Sequence, residues 1–463
     1  MADLSDYVFM KEKKHTSIRV IWYLVYGFFI MLTVSLIINL WREFLTNPTV
    51  TTLESTSHPV SKVPFPGVAI CNINKISKKR AQIFAQNIAE HVSNVNASEV
   101  LNLIPLLGKL YDFDYNTKDE TKLTKLQKIL DAVHLNTITV MNKLTYTCDD
   151  FLIKCKWLGN LENCSRIFKM RLTYDGYCCT FNYVKNTPQH NKVPAGAAPL
   201  TGEPGIDRGL YVKINNDPED YFYTSLSSAG VTVQVFVPTD YPDKPSGSLI
   251  EVVARLNTET FVRIKPTTLF TVRDVIEYPL SKRGCLFDEE RVTGFHGVYS
   301  QSDCNVDCRV ASSLALCQCV PFMVPLSTPE NVCTLNNLQC LHRYKSKWNT
   351  MYPEDDTSGF LQREQHDSLR CTNNCYPSCG GTTYDVISDS AAIHKSRAEN
   401  QTSVQIYYSE RFSALYKQDV VYYWFEILSN FGGTFGLIIG MSLVSIIEFS
   451  VFSFQVLRRK THS

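Results

Sequence analysis

The sequence predicts a membrane protein in which two transmembrane helices bracket a large, disulfide-rich α+β domain outside the cell. Three observations predict it. Two charge-free apolar runs stand near the ends, Val20–Trp41 with 22 residues and Ile427–Ile447 with 21. As helix, each is long enough to cross about 30 Å of hydrocarbon. All sixteen cysteines lie between Cys71 and Cys379. An even number confined to one region reads as a disulfide framework in an oxidising compartment. Finally, Lys11, Lys13, Lys14 and Arg19 precede the first run, and Arg458-Arg459-Lys460 follows the second. By the positive-inside rule both termini are cytoplasmic. The expected organisation is 1–19 cytoplasmic, 20–41 first transmembrane helix, 42–424 external, 425–457 second transmembrane helix and pore, and 458–463 cytoplasmic.

Each element has its own justification. The first run is too long for a signal-peptide core, and Trp41-Arg42-Glu43 follows it instead of a small-residue cleavage site, so the helix is expected to be kept. Pro64-Phe65-Pro66-Gly67-Val68-Ala69-Ile70-Cys71-Asn72 suits a strand after a proline stop. Lys75 to Val92 and Ser98 to Tyr111 read as helices. Thr121 to His134 is an amphipathic helix, with Leu123, Leu126 and Ile129 on one face and lysines on the other. The stretch 187–205 reads as loop. Val231, Val233, Val235 and Val237 alternate with Thr232 and Gln234, a half-buried strand. Leu249 to Phe270 holds two more strands. Cys304 and Cys308 are one helical turn apart and face the same way. Ser403 to Ser409 is the expected final strand before the second membrane helix. Asn96, Asn163 and Asn400 head N-x-S/T sequons in the same external region.

Enzyme signals are lacking: no HExxH, GxSxG, P-loop or GxGxxG occurs. With 46 basic and 45 acidic residues the net charge is +1, which gives no argument for nucleic acid. Cys317-x-Cys319 and Cys371-x3-Cys375-x3-Cys379 have zinc-like spacing, but outside the cell disulfides are favoured. Neither a metal nor a cofactor is expected. The acidic clusters Asp149-Asp150, Asp288-Glu289-Glu290 and Glu354-Asp355-Asp356 suit protons, calcium or plain solvation. His58, His91, His134, His190 and His296 are scattered, ordinary positions.

The informative stretch is the second apolar run. Gly432, Gly436 and Gly440 recur every fourth residue on one helical face. Ser429, Asn430 and Ser442 add polar groups that lipid disfavours, and Glu448 supplies a carboxylate near the inner end. One use of such a face is close packing between membrane helices. The other is a pore, with backbone carbonyls exposed where the helix loosens at Gly440 and Glu448 attracting cations. A two-span chain cannot enclose a pore alone, so several copies must gather around an axis.

The residues resemble the degenerin/epithelial sodium channels, which include the acid-sensing channels. The resemblance spans nearly the whole chain. It rests on Phe65-Pro66-x3-Ile70-Cys71-Asn72, on Gly176-x-Cys178-x-Thr180-Phe181-Asn182, on the second cysteine block, and on Gly432-Gly433-x2-Gly436-Leu437-x2-Gly440-x-Ser442 leading to Glu448. Cys178-Cys179 and Cys155-Lys156-Trp157 resemble the insect pickpocket branch in particular. The resemblance implies a sodium-selective, amiloride-sensitive trimeric channel of the plasma membrane, homomeric or with related subunits. Its stimulus is an extracellular ligand or signal that the sequence does not identify, and its permeant ion is Na+. Gly440, Met441 and Ser442 would be the selectivity filter. Ser429, Asn430, Gly432 and Gly433 would form the gate, Gly436 the amiloride site and Glu448 the inner pore. The external head would be a β-sheet palm with a helical thumb. The implied pairings are Cys71–Cys178, Cys155–Cys164, Cys285–Cys379, Cys304–Cys375, Cys308–Cys371, Cys317–Cys340 and Cys319–Cys333, with Cys148 and Cys179 left over to pair.

Two departures bear on gating. The family's His-Gly motif before the first helix is missing; His15 is followed by Thr16. The family's acid-sensing members carry an aromatic before the cysteine matching Cys285, where this chain has Leu280-Ser281-Lys282-Arg283-Gly284. A non-conducting accessory subunit or surface receptor is therefore the alternative expectation. An ATP-gated channel shares the two-span plan but is disfavoured by the Gly-x-Ser stretch.

Overall fold

A computed structural model describes residues 2–92, 95–185, 199–295, 298–325, 328, 330–351, 374–393, 400–440 and 442–461. Met441, Cys371, His190, His296 and Glu354-Asp355-Asp356 lie outside the described residues, as does most of the loop expected at 187–205. The chain divides into two units: residues 53–270 with 284–417, and residues 1–52 with 271–283 and 418–463.

The first of these units is the α+β domain. Its large sheet runs, in hydrogen-bonded order, Thr49–Pro59, Phe412–Val420, Thr258–Thr271, Gln401–Tyr408, Leu210–Asn215, Leu152–Trp157 and Asn160–Glu162, with Gly381–Ala392 also paired to Thr258–Thr271. A five-stranded sheet runs Leu249–Arg255, Gly230–Phe236, Gly67–Asn72, Gly176–Phe181 and Lys169–Thr173. Inward side chains of both sheets form one core, including Val68, Ile70, Val212, Val233, Val262 and Ile406. Phe65 is fully buried there, with ring centroids 4.8 Å from Trp157 and 5.4 Å from Tyr408. The Tyr384 and Tyr408 hydroxyls both donate to the Pro64 carbonyl. The Pro-Phe-Pro signature is thus a packing device that seats the chain where it enters the sheets.

A second core lies among helices Lys78–His91, Ala97–Leu103, Glu120–Ala132, Thr137–Leu144 and Leu338–Thr350. The amphipathic stretch buries Leu123, Leu126, Ile129 and Leu130, as its spacing expects. Trp348 is buried, and its indole N–H donates to Ser312 at 3.0 Å.

Seven disulfides join described residues: Cys71–Cys178, Cys148–Cys179, Cys155–Cys164, Cys285–Cys379, Cys304–Cys375, Cys317–Cys340 and Cys319–Cys333. Helix Gln301–Cys317 carries Cys304, Cys308 and Cys317. The Cys308–Cys371 pair falls partly outside the described residues.

Several boundaries differ from expectation. Lys75 to Ser77 are strand, because Asn74–Ser77 pairs with Tyr221–Thr224 before Ser77 caps the helix, its Oγ accepting from the Arg80 N–H at 3.2 Å. The helix expected from Ser98 to Tyr111 stops at Leu103 and tightens to a 3-10 turn, Ile104–Gly108, where Pro105 cannot donate to an α-helical bond. The strand at Gly230–Phe236 is buried at every position, not every second one, because it lies inside the five-stranded sheet with both faces covered. Ser403 to Ser409 is not the last strand: Phe412–Val420 follows it.

The second unit carries both apolar runs. The first helix spans Ala2–Thr46, and its portion Val20–Thr46 is long and apolar enough to cross a membrane. The second run is not one helix. It forms Trp424–Ile439 and Leu443–Thr461, separated at Gly440 to Ser442. Between the apolar runs, the Val421 N–H donates to the Pro48 carbonyl at 2.8 Å. The Gln418 side chain donates to the Arg283 carbonyl at 3.3 Å, in the segment that lacks the expected aromatic.

Candidate functional site

The site is the broken C-terminal helix and the surface it leaves bare. Tyr423 starts the first half, its backbone N–H donating to the Glu426 carboxylate at 3.0 Å in a capping box. At about 100° per residue, Ser429, Gly432, Gly433 and Gly436 share one face, whereas Ile427, Phe431, Thr434 and Ile438 lie roughly half a turn away. The first helix packs on that second face: the Trp41 and Phe431 rings sit 6.3 Å apart. Ile427, Phe431, Thr434 and Ile438 are half-buried there, while Ser429, Gly432, Gly433 and Gly436 are exposed. A Cβ placed on Gly432 or Gly433 would meet nothing within 4 Å. Within the chain, then, the small-residue face is not used for packing.

The break has its own chemistry. Gly440 takes φ +72°, ψ 17°, a left-handed conformation that an L side chain resists, and its N–H turns back to the Phe435 carbonyl. Ser442 then starts the second half. Its Oγ accepts from the Ser445 N–H at 3.3 Å, and the two hydroxyls are 3.2 Å apart. Halting one helix and restarting another within three residues leaves backbone carbonyls of the last turn without helical partners. Such groups at membrane depth are tolerated where they line a water-filled cavity or are buried in protein. Glu448 is exposed on the second half, between one and two turns beyond Ser442.

The other sequence candidates are dispersed over the external unit. Asp150 pairs with Arg80 at 2.6 Å, and hydrogen bonding from Thr147, followed by Arg80, holds its carboxyl below the usual range. Asp149 accepts from the Ser165 hydroxyl, and Glu290 accepts from the Phe287 N–H at 2.8 Å. Among the described residues no group of three or more His, Cys, Asp or Glu side chains converges on a common point. Asn96 and Asn163 are exposed and cap short helices, their side-chain oxygens accepting from the Ser98 and Ser165 N–H groups at 3.1 and 2.9 Å. Asn400 is exposed in a left-handed turn.

One charged cluster has no local sequence signal, because its members are far apart in the chain. Lys185 and Asp303 form a fully buried ion pair, and Asp303 also accepts from the Tyr241 N–H at 3.0 Å. Asp243, fully buried, pairs with Arg309. Burial, and then the neighbouring Asp303, push the Asp240 carboxyl up to about 7.

Comparison with known proteins adds an independent line. The family described as "Amiloride-sensitive sodium channel" matches residues 6–452. The chain is 23% identical to the sodium channel protein Nach of Drosophila ananassae, over 97% of this chain and 84% of that one. It is 24% identical to pickpocket protein 28 of Drosophila melanogaster, over 93% and 73%. It is 26% identical to the bile acid-sensitive ion channel of Mus musculus, over 93% and 81%.

Proposed function

Because the chain belongs to the amiloride-sensitive sodium channel family, on its pickpocket branch, we propose that it is a pore-forming subunit of a sodium-selective, amiloride-sensitive channel of the plasma membrane. It is an ion-channel protein and not an enzyme. In this proposal both termini are cytoplasmic and the second apolar run is a second, interrupted span. Three chains, identical or related, gather so that their Ser429–Gly436 faces surround a common axis.

The observation that carries the proposal is the placement of the first helix. It covers the Phe431 side of Trp424–Ile439 and leaves the glycine side open. A helix bare on its polar, small-residue side suits water there, since Ser429 and the exposed backbone have no partner in lipid. At the break, the unpaired carbonyls near Gly440 replace part of the hydration of a passing Na+, and Ser442 adds a hydroxyl. The Glu448 carboxylates of neighbouring copies raise the local cation concentration below. Ser429, Asn430, Gly432 and Gly433 form the gate, where absent side chains let helices close tightly, and Gly436 offers amiloride its approach.

Voltage clamp of oocytes expressing the chain, alone and with related subunits, tests this. The expected result is an inward Na+ current blocked by amiloride. Surface delivery without current in every combination contradicts it.

A further inference from the structure

A groove of about 600 Å³ opens in the external unit, lined by helix Lys78–His91, by Lys143 and Tyr146, and by Asp217 and Asp220. Its volume is that of a small-molecule site. Phe84 and Tyr146 line it, and Ile83 adds an apolar side chain that is 60% exposed. Most single exposed apolar residues mean nothing. This one stands beside Phe84 in a concave surface, so an occupant would cover it.

The charges of the groove are unevenly satisfied. Asp217 is held by Lys79 at 2.6 Å and Asp150 by Arg80 at 2.6 Å. Asp220, which is buried, accepts from the Ser77 hydroxyl at 2.6 Å and the Lys79 N–H at 2.7 Å. Each acid already has its cation or donors. Lys143 lines the same groove and has no carboxylate partner among the described residues. The first turn of helix Lys78–His91 lies in the same groove, but its Lys79 and Arg80 N–H groups are already taken by Asp220 and Ser77. Lys79, Arg80 and Lys143 balance Asp150, Asp217 and Asp220 in formal charge, but Lys143 is the cation of the lining whose ammonium is left for an occupant, in the same groove as Ile83 and Phe84.

We propose that this groove binds a small organic anion, its apolar body against Ile83, Phe84 and Tyr146 and its carboxylate on Lys143. The site lies wholly in the external unit and does not depend on the pore proposal. The test is calorimetric titration of the full-length purified protein with phenylbutyrate. Saturable binding is expected, at least tenfold weaker for the neutral phenylbutyramide. Lys143→Glu and Ile83→Asp, both surface changes, should each weaken phenylbutyrate at least tenfold with an unchanged melting temperature, and Lys143→Arg should restore binding. Heat no greater than detergent micelles alone give, equal affinity for acid and amide, or unaltered affinity in both weakening variants overturns the proposal. A shifted melting temperature in Lys143→Glu moves the decision to the acid-against-amide comparison in the unaltered protein.

Discussion

Gly440 carries the conformational demand of the break. Its φ of +72° costs an L residue about 1–2 kcal/mol. A Cβ there would meet nothing within 4 Å, so the cost is one of backbone conformation and not of collision. Gly440→Ala should therefore fold and reach the surface yet reshape the turn, lowering the Na+/K+ permeability ratio read from reversal potentials; an unchanged ratio removes Gly440 from the filter. Asp240 makes a different prediction. Its folded value near 7 lies above the ordinary carboxylate value of about 4, so the folded chain holds this proton more tightly than the unfolded one. Stability contributed at low pH is then lost as pH rises from about 4 to 7. Burial raises Asp303, Asp112, Asp288 and Asp307 as well, acting in the same direction, whereas Asp119, Asp150 and Asp217 are lowered and act only in more acidic solution. The melting temperature of the full-length protein should rise between pH 7.5 and pH 5, and Asp240→Asn should remove most of that rise.

At the scale of elements, the C-terminal run shows what a sequence discloses and what it hides. Its glycine spacing marks one face and the loosening at Gly440, and both are where the residues place them. The partner of the opposite face is not in the spacing. It depends on where Trp41 meets Phe431, a contact between residues almost four hundred positions apart. The same limit explains the strand Gly230–Phe236, whose alternation is that of a one-sided strand although Thr232 and Gln234 are also buried. Periodicity reports side-chain chemistry, whereas burial of the second face depends on neighbouring elements. It also explains Lys75 to Ser77, where pairing with Tyr221–Thr224 overrides local helical preference. Ser429 tests the face itself. Ser429 is exposed, and in the proposed gate Ser429→Val adds bulk where the helices of neighbouring copies meet. Resting current should rise severalfold in single-channel and whole-cell records, and an unaltered open probability removes Ser429 from the gate.

For the whole molecule, the N-terminal membrane helix and the external cysteine framework were legible because hydropathy and cysteine placement agree by separate routes. Six of the observed disulfides are pairings the family pattern implies, and the leftover Cys148 and Cys179 pair with each other, but spacing alone left them all open. The buried Lys185–Asp303 pair and the Lys143 groove were not legible, since each is assembled from distant segments with no shared motif. One chain presents a bare glycine face, so in the proposed channel conduction is a property of the assembly, with closed symmetry bringing equivalent faces to one axis.

That claim is tested most directly by placing a thiol on each side of the same helix. None of the described cysteines is free, which keeps the background low. Gly436→Cys should react with a charged, water-soluble thiol reagent and lose current as it reacts, while Phe431→Cys, held against Trp41, should not. Modification of Phe431→Cys with Gly436→Cys left unmodified would put water on the wrong side and contradict the account.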